Sequence, residues 1–341
     1  MNGERNAIAI PSYQIDGING PYFGDLVFKH LEDEYKGKFE RIGFAVKQAA
    51  DGSEEAVTVD SVRGRTVYVI HPLVTNPAQH VAVAEEISDN LHRSDASSVV
   101  LMDLYDPYFS YDKRKGKQSL NARIVADKYA VAHVDRVFTV EPHTDTVALA
   151  FGLNCPLEPL PMQIPLARHF RESYELENVT VCSPDIGGYP RAEVFADLLG
   201  TPLIGIRKRR STETTDETKV LEVVGKKEDV EGRMILFRDD VIRTAGSIMD
   251  AQKALDEMGA AGYYVVAPHL SLVSEARNRI KNSKIKKVIG TNTVHQGFGP
   301  DETDKYDVLD ISPIIADVIY RRSEGLSIGH FFESFGNPKK S

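Results

Sequence analysis

The feature of this 341-residue sequence that most constrains its fold is an alternation of short β-branched runs with amphipathic segments, which begins near residue 66. Such alternation is typical of βαβ units, in which helices join parallel strands and cover the sheet. It predicts an α/β fold with a mostly parallel sheet. In the first half we expect strands at 66–70, 98–102 and 136–140, with helices near 77–93 and 119–130.

The alternation continues in the second half, after a proline-rich segment that separates the two. The predicted strands there are 179–182, 203–206, 234–237, 263–267 and 287–289, and the predicted helices lie near 191–199, 247–258 and 273–281. The separating segment, NCPLEPLPMQIPL, contains four prolines that cannot continue a helix or a central strand: Pro156, Pro159, Pro161 and Pro165. A chain of 341 residues suits two domains of average size, so we predict domains of residues 1–155 and 156–341.

Composition excludes several classes of protein. With 42% hydrophobic and 27% charged residues, the sequence has the profile of a soluble globular protein. No apolar run approaches the roughly 18 residues of a membrane span, and MNGERNAIAI lacks the form of a signal peptide, so we expect a cytoplasmic protein without membrane partners. The net charge of −9 argues against a nucleic-acid partner. Cys155 and Cys182 lie in apolar surroundings and are expected to be buried thiols.

The segment FRDDVIRTAGS places two acids at the end of a predicted strand and small residues before a predicted helix. Backbone N–H groups at a helix start attract phosphate, and small residues allow the phosphate to approach closely; here these residues are Thr244, Ala245, Gly246 and Ser247. Asp239 and Asp240 can bind ribose hydroxyls, either directly or through Mg²⁺. The segment therefore suggests a sugar-phosphate site, the alternative being an acidic capping turn without a ligand.

Two more polar residues follow predicted strands. Asp185 precedes Gly187 and Gly188, and His143 follows the strand at 136–140. Because ligands gather at the carboxyl ends of parallel strands, Asp185 can converge with the aspartate pair. The alternatives are a turn aspartate and a structural histidine.

Two basic segments complete the candidates. Arg207, Lys208, Arg209 and Arg210 lead into a polar, threonine-rich stretch with few apolar residues, which we expect to be mobile. A mobile cationic loop can bring charge to a phosphoryl-transfer transition state, whereas the alternative is a solvated basic run. The second segment, PYFSYDKRKGKQ, holds four further cations: Lys113, Arg114, Lys115 and Lys117.

Seven collinear segments resemble the ribose-phosphate diphosphokinases, also called phosphoribosyl pyrophosphate synthetases, and the likeness covers nearly the whole chain. They are SVRGRTVYVI, PYFSYDKRK, RVFTVEPH, VCSPDIGGYPRAEVFADLLG, IRKRR, DVEGRMILFRDDVIRTAGS and YDVLDISPIIADVIYRRSEGLSIGHFFE. The resemblance implies an α/β fold with two phosphoribosyltransferase-type domains, each a mostly parallel sheet flanked by helices. It also implies Mg²⁺-dependent transfer of diphosphate from ATP to O1 of ribose 5-phosphate with AMP as co-product, and a homo-oligomer, usually a hexamer built from dimers.

The resemblance also assigns roles by motif position. The ribose-5-phosphate residues are Asp239, Asp240, Thr244, Ala245, Gly246 and Ser247; the catalytic cations are Lys208 and Arg210; the metal residues are His143 and Asp185; and the nucleotide residues are Asp51, Glu54, Lys113, Arg114 and His143.

The chain departs from the family pattern at three places. Arg243 stands where the family commonly has an aspartate, Ala49 where it has an aromatic residue, and Lys113-Arg114 where it has Arg-Gln. These changes lie in or beside the implied substrate sites. They motivate two alternatives to an active synthetase: a non-catalytic regulatory paralogue, and a related transferase with altered nucleotide or sugar-phosphate specificity.

Overall fold

The computed structural model describes residues 6–11, 23–51, 53–71, 76–114, 116–210, 219–273, 275–298 and 302–336. These residues form two compact units. The first comprises the described residues up to Pro161 together with Asn292–Gly297 and Asp310–His330, and the second comprises Met162–Thr291, Phe298–Leu309 and the described residues from Phe331 onward. No helix within these described ranges is long and apolar enough to cross a membrane.

The first unit is built on a six-stranded, all-parallel sheet with strand order β2-β1-β5-β6-β7-β8, beside an antiparallel β3–β4 hairpin. Its strands are β1 (Asn6–Ala9), β2 (Phe39–Ile42), β3 (Phe44–Gln48), β4 (Glu54–Thr58), β5 (Thr66–Ile70), β6 (Ser98–Met102), β7 (Arg136–Val140) and β8 (Leu157–Leu160). Its helices are α1 (Phe23–Glu34), α2 (Pro77–Arg93), α3 (Asn121–Val131) and α4 (Val147–Ala150).

Local sequence explains these elements. Strands β5, β6 and β7 are buried on both faces, as expected for parallel strands covered by helices. Helix α2 begins where Asn76 accepts a hydrogen bond from the backbone N–H of Gln79 at 2.9 Å and Pro77 occupies the first turn. Late in the chain, α9 (Ser312–Ser323) packs on α1, with the rings of Tyr35 and Tyr320 stacked 3.8 Å apart.

The second unit is built on an eight-stranded sheet with the order β11-β10-β9-β12-β14-β15-β16, in which β13 also pairs with β14. All its strand pairs are parallel except β10–β11. The strands are β9 (Val179–Ser183), β10 (Leu203–Arg210), β11 (Lys219–Val224), β12 (Met234–Arg238), β13 (Val241–Ile242), β14 (Gly262–Leu270), β15 (Ile285–Thr291) and β16 (Tyr306–Leu309). The helices are α5 (Gln163–Ser173), α6 (Tyr189–Leu199), α7 (Gly246–Glu257) and α8 (Ala276–Lys281), while α10 (Ile328–Gly336) ends the described chain.

The strand order reverses beside β9. From β9 the chain crosses through α6 to β10 on one side, and it later places β12 on the other side. In open α/β sheets, such a switch point leaves a crevice at the carboxyl ends of the two diverging strands. The second unit therefore presents the ends of β9 and β12 as its natural ligand site.

The predicted α/β class is confirmed, and each of the thirteen predicted strands and helices overlaps a strand or helix of the structure. The three strands predicted in the first half have the predicted bounds. The expected mobile segment is wrong at both of its ends, because residues 207–210 and 219–224 are paired antiparallel strands. The reason is that Leu221 and Val223 alternate along β11 and pack on the core of the second unit. Residues 211–218 lie outside the described residues.

Two prolines of the proline-rich segment lie within regular secondary structure, at positions where proline is tolerated. Pro159 lies in β8, which is an edge strand, where a missing N–H is tolerated. Pro165 lies in the first turn of α5, where the backbone N–H has no helical partner in any case. The division at residues 155 and 156 stays a prediction, and the compact units instead change over between Pro161 and Met162.

Candidate active site

Three carboxylates meet at the switch point of the second unit. Asp239 and Asp240 directly follow β12, and Asp185 follows β9 two residues after the strand ends. Asp239 is half-buried and Asp240 is 5% exposed. Asp239 Oδ1 accepts the backbone N–H of Asp240 at 2.9 Å, and Asp185 Oδ1 accepts the backbone N–H of Gly188 at 2.9 Å. Asp185 is thus oriented by its own turn, and it lies near enough to Asp239 to influence the pKa of that carboxyl.

The carboxylates influence one another electrostatically. Burial raises the pKa of Asp239 well above its ordinary value, and the carboxylates of Asp240 and Asp185 raise it further. A site that concentrates negative charge in this way is prepared for a cation or for hydroxyl donors. Carboxylate oxygens are also the ligands that Mg²⁺ prefers.

Two arginines accompany these acids. Arg191 in the first turn of α6 pairs with Asp240, with 3.4 Å between Nη1 and Oδ1. Arg238, the last residue of β12, is fully buried; its guanidinium lies 5.2 Å from the centroid of the Phe195 ring and donates to the side-chain oxygen of Gln163 at 3.3 Å. The acidic cluster is therefore partly neutralised from the α5–α6 side of the sheet.

The loop from Arg243 to Ser247 connects β13 to α7. Ala245 adopts a left-handed conformation with φ 57° and ψ 11°, which turns the chain into the helix that begins at Gly246. The guanidinium of Arg279 donates to the carbonyl oxygen of Thr244 at 2.9 Å. A Cβ atom at Gly246 would lie 3.5 Å from Thr244 Oγ1 and 3.8 Å from Arg279 Nη1. The absence of a side chain at Gly246 thus leaves the space next to the Thr244 hydroxyl and the Arg279 guanidinium unfilled at the start of a helix, which is an arrangement that suits a phosphate.

A second group of predicted residues lies in the first unit around Asp112. The hydroxyls of Thr144 and Thr146 both donate to Asp112 Oδ2. Burial acts to raise the pKa of Asp112, but these two hydrogen bonds and the nearby charges of Lys113 and His143 outweigh burial and lower it. The structure therefore brings Lys113 and His143, both exposed, to one carboxylate.

The remaining predicted nucleotide residues have different surroundings. Asp51 lies in the turn of the β3–β4 hairpin, where its Oδ1 accepts the backbone N–H and the hydroxyl of Ser53 at 3.0 and 2.7 Å, and these bonds lower its pKa. Ala49 is exposed in the same turn. Arg114 is exposed beside Lys113, and Glu54 begins β4, although its side chain lies outside the described part.

The predicted catalytic cations lie on the β10–β11 hairpin. The Cα of Lys208 pairs with that of Leu221, and the Cα of Arg210 pairs with that of Lys219. Their side chains lie outside the described residues.

The sequence reasoning missed Asp112, Arg191, Arg238 and Arg279. Two of these carried a detectable signal. A cation in the first turn of a helix opposes the helix dipole, which marks Arg191, and a charge inside the apolar run MILFR marks Arg238. Arg279 and Asp112 carry no such signal, because only the fold brings them to their partners.

A buried polar network at the carboxyl ends of β5 and β6 was also missed. His80 Nε2 lies 2.9 Å from Asp103 Oδ1, the hydroxyl of Tyr129 donates to Asp103 Oδ2 at 2.9 Å, and His71 Nε2 donates to the carbonyl oxygen of His80 at 2.9 Å. Burial lowers the pKa of His71 to about 3 and raises that of Asp106 to about 7. For His80, burial opposes the charged form, yet Asp103 outweighs burial and raises the pKa.

The carboxylates of this site fit a Mg²⁺ ion that is also bound by substrate phosphates. Within the described ranges there is no group of three or more His, Cys, Asp or Glu side chains arranged to hold a metal ion by themselves. Mg²⁺ usually retains several waters and binds through one or two carboxylates together with substrate phosphates. The cluster of Asp185, Asp239 and Asp240 provides carboxylates of this kind.

Comparison with known proteins identifies relatives along most of the chain. Residues 16–132 match the family described as the N-terminal domain of ribose phosphate pyrophosphokinase, and residues 206–333 match the phosphoribosyl synthetase-associated domain. The ribose-phosphate pyrophosphokinase of Halalkalibacterium halodurans is 32% identical over 302 residues, which cover 86% of this chain and 92% of the relative. That of Helicobacter pylori is 30% identical over 325 residues, covering 93% and 94%.

A solved structure supports the same assignment. The crystal structure of phosphoribosylpyrophosphate synthetase from Mycobacterium smegmatis matches with a TM-score of 0.78 at 29% identity, covering 94% of this chain and 100% of that one. Both units therefore have the phosphoribosyltransferase-type fold that the sequence resemblance implied. The chain belongs to the ribose-phosphate pyrophosphokinase family.

Proposed function

We propose that this protein is an active ribose-phosphate diphosphokinase, which transfers diphosphate from ATP to O1 of ribose 5-phosphate and releases AMP. The observation that carries the proposal is the position of the aspartate pair next to the small-residue loop and the start of α7. A sugar phosphate needs both parts, since its hydroxyls donate to carboxylates and its phosphate accepts from N–H groups and cations.

The ribose 5-phosphate is proposed to lie along the β12–α7 connection. Its ring hydroxyls donate to Asp239 and Asp240, and its 5-phosphate lies on the backbone and hydroxyl donors of Thr244–Ser247, including Ala245 and Gly246. Arg279, which donates to the carbonyl of Thr244 at 2.9 Å, adds a positive charge beside that phosphate. The absence of a side chain at Gly246, next to Thr244 Oγ1 and Arg279 Nη1, supports this placement.

We propose Mg²⁺ as the metal, for which His143 and Asp185 stay the predicted ligands by motif position. When bound, Mg²⁺ neutralises the phosphate oxygens of ATP and favours charge development on the leaving group. The proposed nucleotide residues are Asp51, Glu54, Lys113, Arg114 and His143. The proximity of Lys113 and His143 at Asp112 supports their acting together.

In the proposed reaction, O1 of the sugar attacks the β-phosphorus of ATP. The bond between the β-phosphorus and the oxygen that bridges to the α-phosphorus breaks, AMP leaves with that electron pair, and the O1 proton passes to solvent. Lys208 and Arg210 are proposed to stabilise the negative charge on the transferred group, because such transfers depend on positioning and cations more than on a covalent nucleophile. The pairing of β10 with β11 supports this role, since it holds their backbone in a defined ribbon.

The purified full chain, incubated with Mg²⁺, ribose 5-phosphate and a panel of nucleoside triphosphates, tests the proposal. We expect a 1-diphosphorylated sugar and a nucleoside monophosphate. Lys208→Ala should lower kcat at least a hundredfold, on the order of magnitude seen when a transition-state donor is removed, and leave ribose 5-phosphate binding unchanged. Lys253→Ala, an exposed residue of α7, is the matched control.

Absence of product with every triphosphate contradicts the proposal. A normal kcat in the Lys208→Ala variant contradicts only the role given to the hairpin. Assembly into a hexamer of dimers and a cytoplasmic location stay predictions, which gel filtration with light scattering and cell fractionation can check.

A further inference from the structure

A fully buried arginine stands directly before the aspartate pair. Arg238 ends β12 after the apolar run MILF, and its side chain is the largest of those that are fully buried in the described part of the chain. Arginine is almost never fully buried unless it is paired, because enclosing a charge away from water is unfavourable. An apolar side chain would fill this position of a central strand without that cost. Packing alone therefore does not account for a guanidinium here.

The guanidinium of Arg238 contacts three parts of the second unit. Its Nη1 donates to the carbonyl oxygen of Asp239, its Nε donates to the side-chain oxygen of Gln163 at 3.3 Å, and its Cζ lies 5.2 Å from the centroid of the Phe195 ring. Gln163 is the first residue of α5, and Phe195 lies in α6. Because the guanidinium is planar and rigid, hydrogen bonds from two of its nitrogen atoms fix its orientation.

The guanidinium supplies a hydrogen bond that residue 268 of the neighbouring strand cannot supply. Strand β14 bonds the backbone before and after the carbonyl of Asp239. The N–H of Asp239 donates to the carbonyl oxygen of Val266 at 3.0 Å. The N–H of His269 donates to the carbonyl oxygen of Asp240 at 3.2 Å. Between these two residues of β14 lies Pro268, which has no N–H to offer, so the carbonyl of Asp239 takes its donor from the guanidinium.

This hydrogen bond fixes the peptide unit that links the two aspartates. The carbonyl of Asp239 and the N–H of Asp240 belong to one planar group, which includes both Cα atoms. Its carbonyl accepts from Arg238, and its N–H donates to Asp239 Oδ1 at 2.9 Å. Because both Cα atoms lie in this plane, its orientation determines the direction in which the two carboxylate side chains leave the backbone.

We propose that Arg238 is a positioning residue of the sugar-phosphate site, which holds the peptide plane between Asp239 and Asp240 and so directs both carboxylates towards the ribose hydroxyls. The inference rests on the proposed function, in which those carboxylates accept from the ring hydroxyls. Arg238 is itself fully enclosed and acts through the backbone. Loss of its guanidinium should weaken recognition of the ring hydroxyls and leave recognition of the 5-phosphate, which depends on residues 244–247, unchanged.

The test compares two ligands in titrations of the full chain followed by saturation-transfer difference NMR. Ribose 5-phosphate has the phosphate and the ring hydroxyls, whereas tetrahydrofurfuryl phosphate has the same phosphate and a five-membered ring without hydroxyls. In Arg238→Met the dissociation constant for ribose 5-phosphate should rise about tenfold, as expected when hydrogen bonds to charged groups are weakened. The dissociation constant for tetrahydrofurfuryl phosphate should not change. Methionine is apolar and of similar length, and such replacements of buried charged groups are often compatible with folding.

Two further variants separate positioning from a general role in folding. Arg238→Lys keeps a cationic donor on a chain of similar length, so its affinity for ribose 5-phosphate should lie between those of the wild type and Arg238→Met. Arg233→Met is the matched control. Arg233 lies just before the amino end of β12, where its guanidinium donates to the carbonyl oxygen of Val179 at 2.8 Å and to Thr180 Oγ1 at 2.6 Å. This variant should bind both ligands like the wild type.

The possible results separate this inference from the proposed function. Equal affinity for ribose 5-phosphate in the wild type and Arg238→Met overturns the inference and leaves the proposed function standing. An equal loss for both ligands also overturns it, because the whole loop then depends on Arg238. If Arg238→Met does not fold, an unchanged affinity for ribose 5-phosphate in Arg238→Lys overturns the inference. A wild type that does not bind ribose 5-phosphate contradicts the proposed function itself, and the inference with it.

Discussion

Replacing Asp239 by asparagine should stabilise the protein and at the same time remove its activity. Asparagine keeps a side-chain oxygen, so the 2.9 Å hydrogen bond from the backbone N–H of Asp240 is retained. What the substitution removes is a negative charge that is enclosed beside the carboxylates of Asp240 and Asp185. The proposed function requires this charge, and folding is disfavoured by it, which is the usual conflict at a functional site.

The expected gain in stability follows from the interactions of the Asp239 side chain that the substitution removes and those that it keeps. The hydrogen-bond contribution is unchanged, while like-charge repulsion and the burial of a charge disappear. We expect the free energy of unfolding to rise by about 0.5–2 kcal/mol at pH 8, the range that single stabilising substitutions commonly give. For a chain of this size the unfolding midpoint should increase by about 2–4 °C for each kcal/mol.

The pH dependence identifies the cause. The pKa of Asp239 is raised in the folded state. The wild type therefore loses stability as the pH increases from the pKa of the unfolded state, about 3.9, to the higher pKa of the folded state. The advantage of Asp239→Asn should therefore be near zero at about pH 4 and grow with increasing pH. Urea unfolding of both proteins at a series of pH values measures this difference.

A control separates this effect from a general change in net charge. Asp197→Asn removes one charge from an exposed position of α6 and should change stability little at any pH. If Asp239→Asn is less stable than the wild type at pH 8, or if its advantage does not vary with pH, the reasoning about the carboxylate cluster is refuted.

Three further predictions follow from buried or paired groups. Tyr129→Phe should lower the free energy of unfolding by about 1.5–3 kcal/mol, because its hydroxyl donates to a fully buried carboxylate at 2.9 Å, whereas Tyr111→Phe, at 49% exposure, should have little effect in the same urea titration. Burial raises the pKa of Asp106 to about 7, so its contribution to stability is lost between about pH 4 and about pH 7, and Asp106→Asn should remove that part of the pH profile of unfolding. Arg279→Met should raise the dissociation constant for ribose 5-phosphate about tenfold in calorimetry, as expected for one lost charge-assisted contact, with Lys253→Met unchanged.

The sequence was sufficient for those parts of the fold whose signals are local. Strands β5, β6 and β7 are continuous apolar runs with polar boundaries, and α2 begins at an Asn-Pro pair, so their bounds could be read directly. The hairpin of β10 and β11 could not be read, because charged residues conceal the strand period and only the partner strand provides the pairing. Strands β1 and β13 were missed because they are only four and two residues long.

The same distinction between local and non-local signals applies to the residues of the candidate site. Asp185, Asp239 and Asp240 could be found because each follows a strand, and parallel topology brings strand ends together. Arg279, which donates to the carbonyl oxygen of Thr244, and Asp112, which accepts from two threonines of a distant segment, could not be found, because their partners are neighbours only in the folded chain.

The most direct test of the central claim is a ³¹P NMR time course of the purified chain with Mg²⁺, ATP and ribose 5-phosphate. The proposed transfer predicts that the β- and γ-phosphorus signals of ATP are replaced by those of a diphosphate attached to the sugar, with one AMP formed for each sugar consumed. Formation of ADP, or ATP signals that stay unchanged while ribose 5-phosphate remains bound, would contradict the proposal that this chain is a working diphosphokinase.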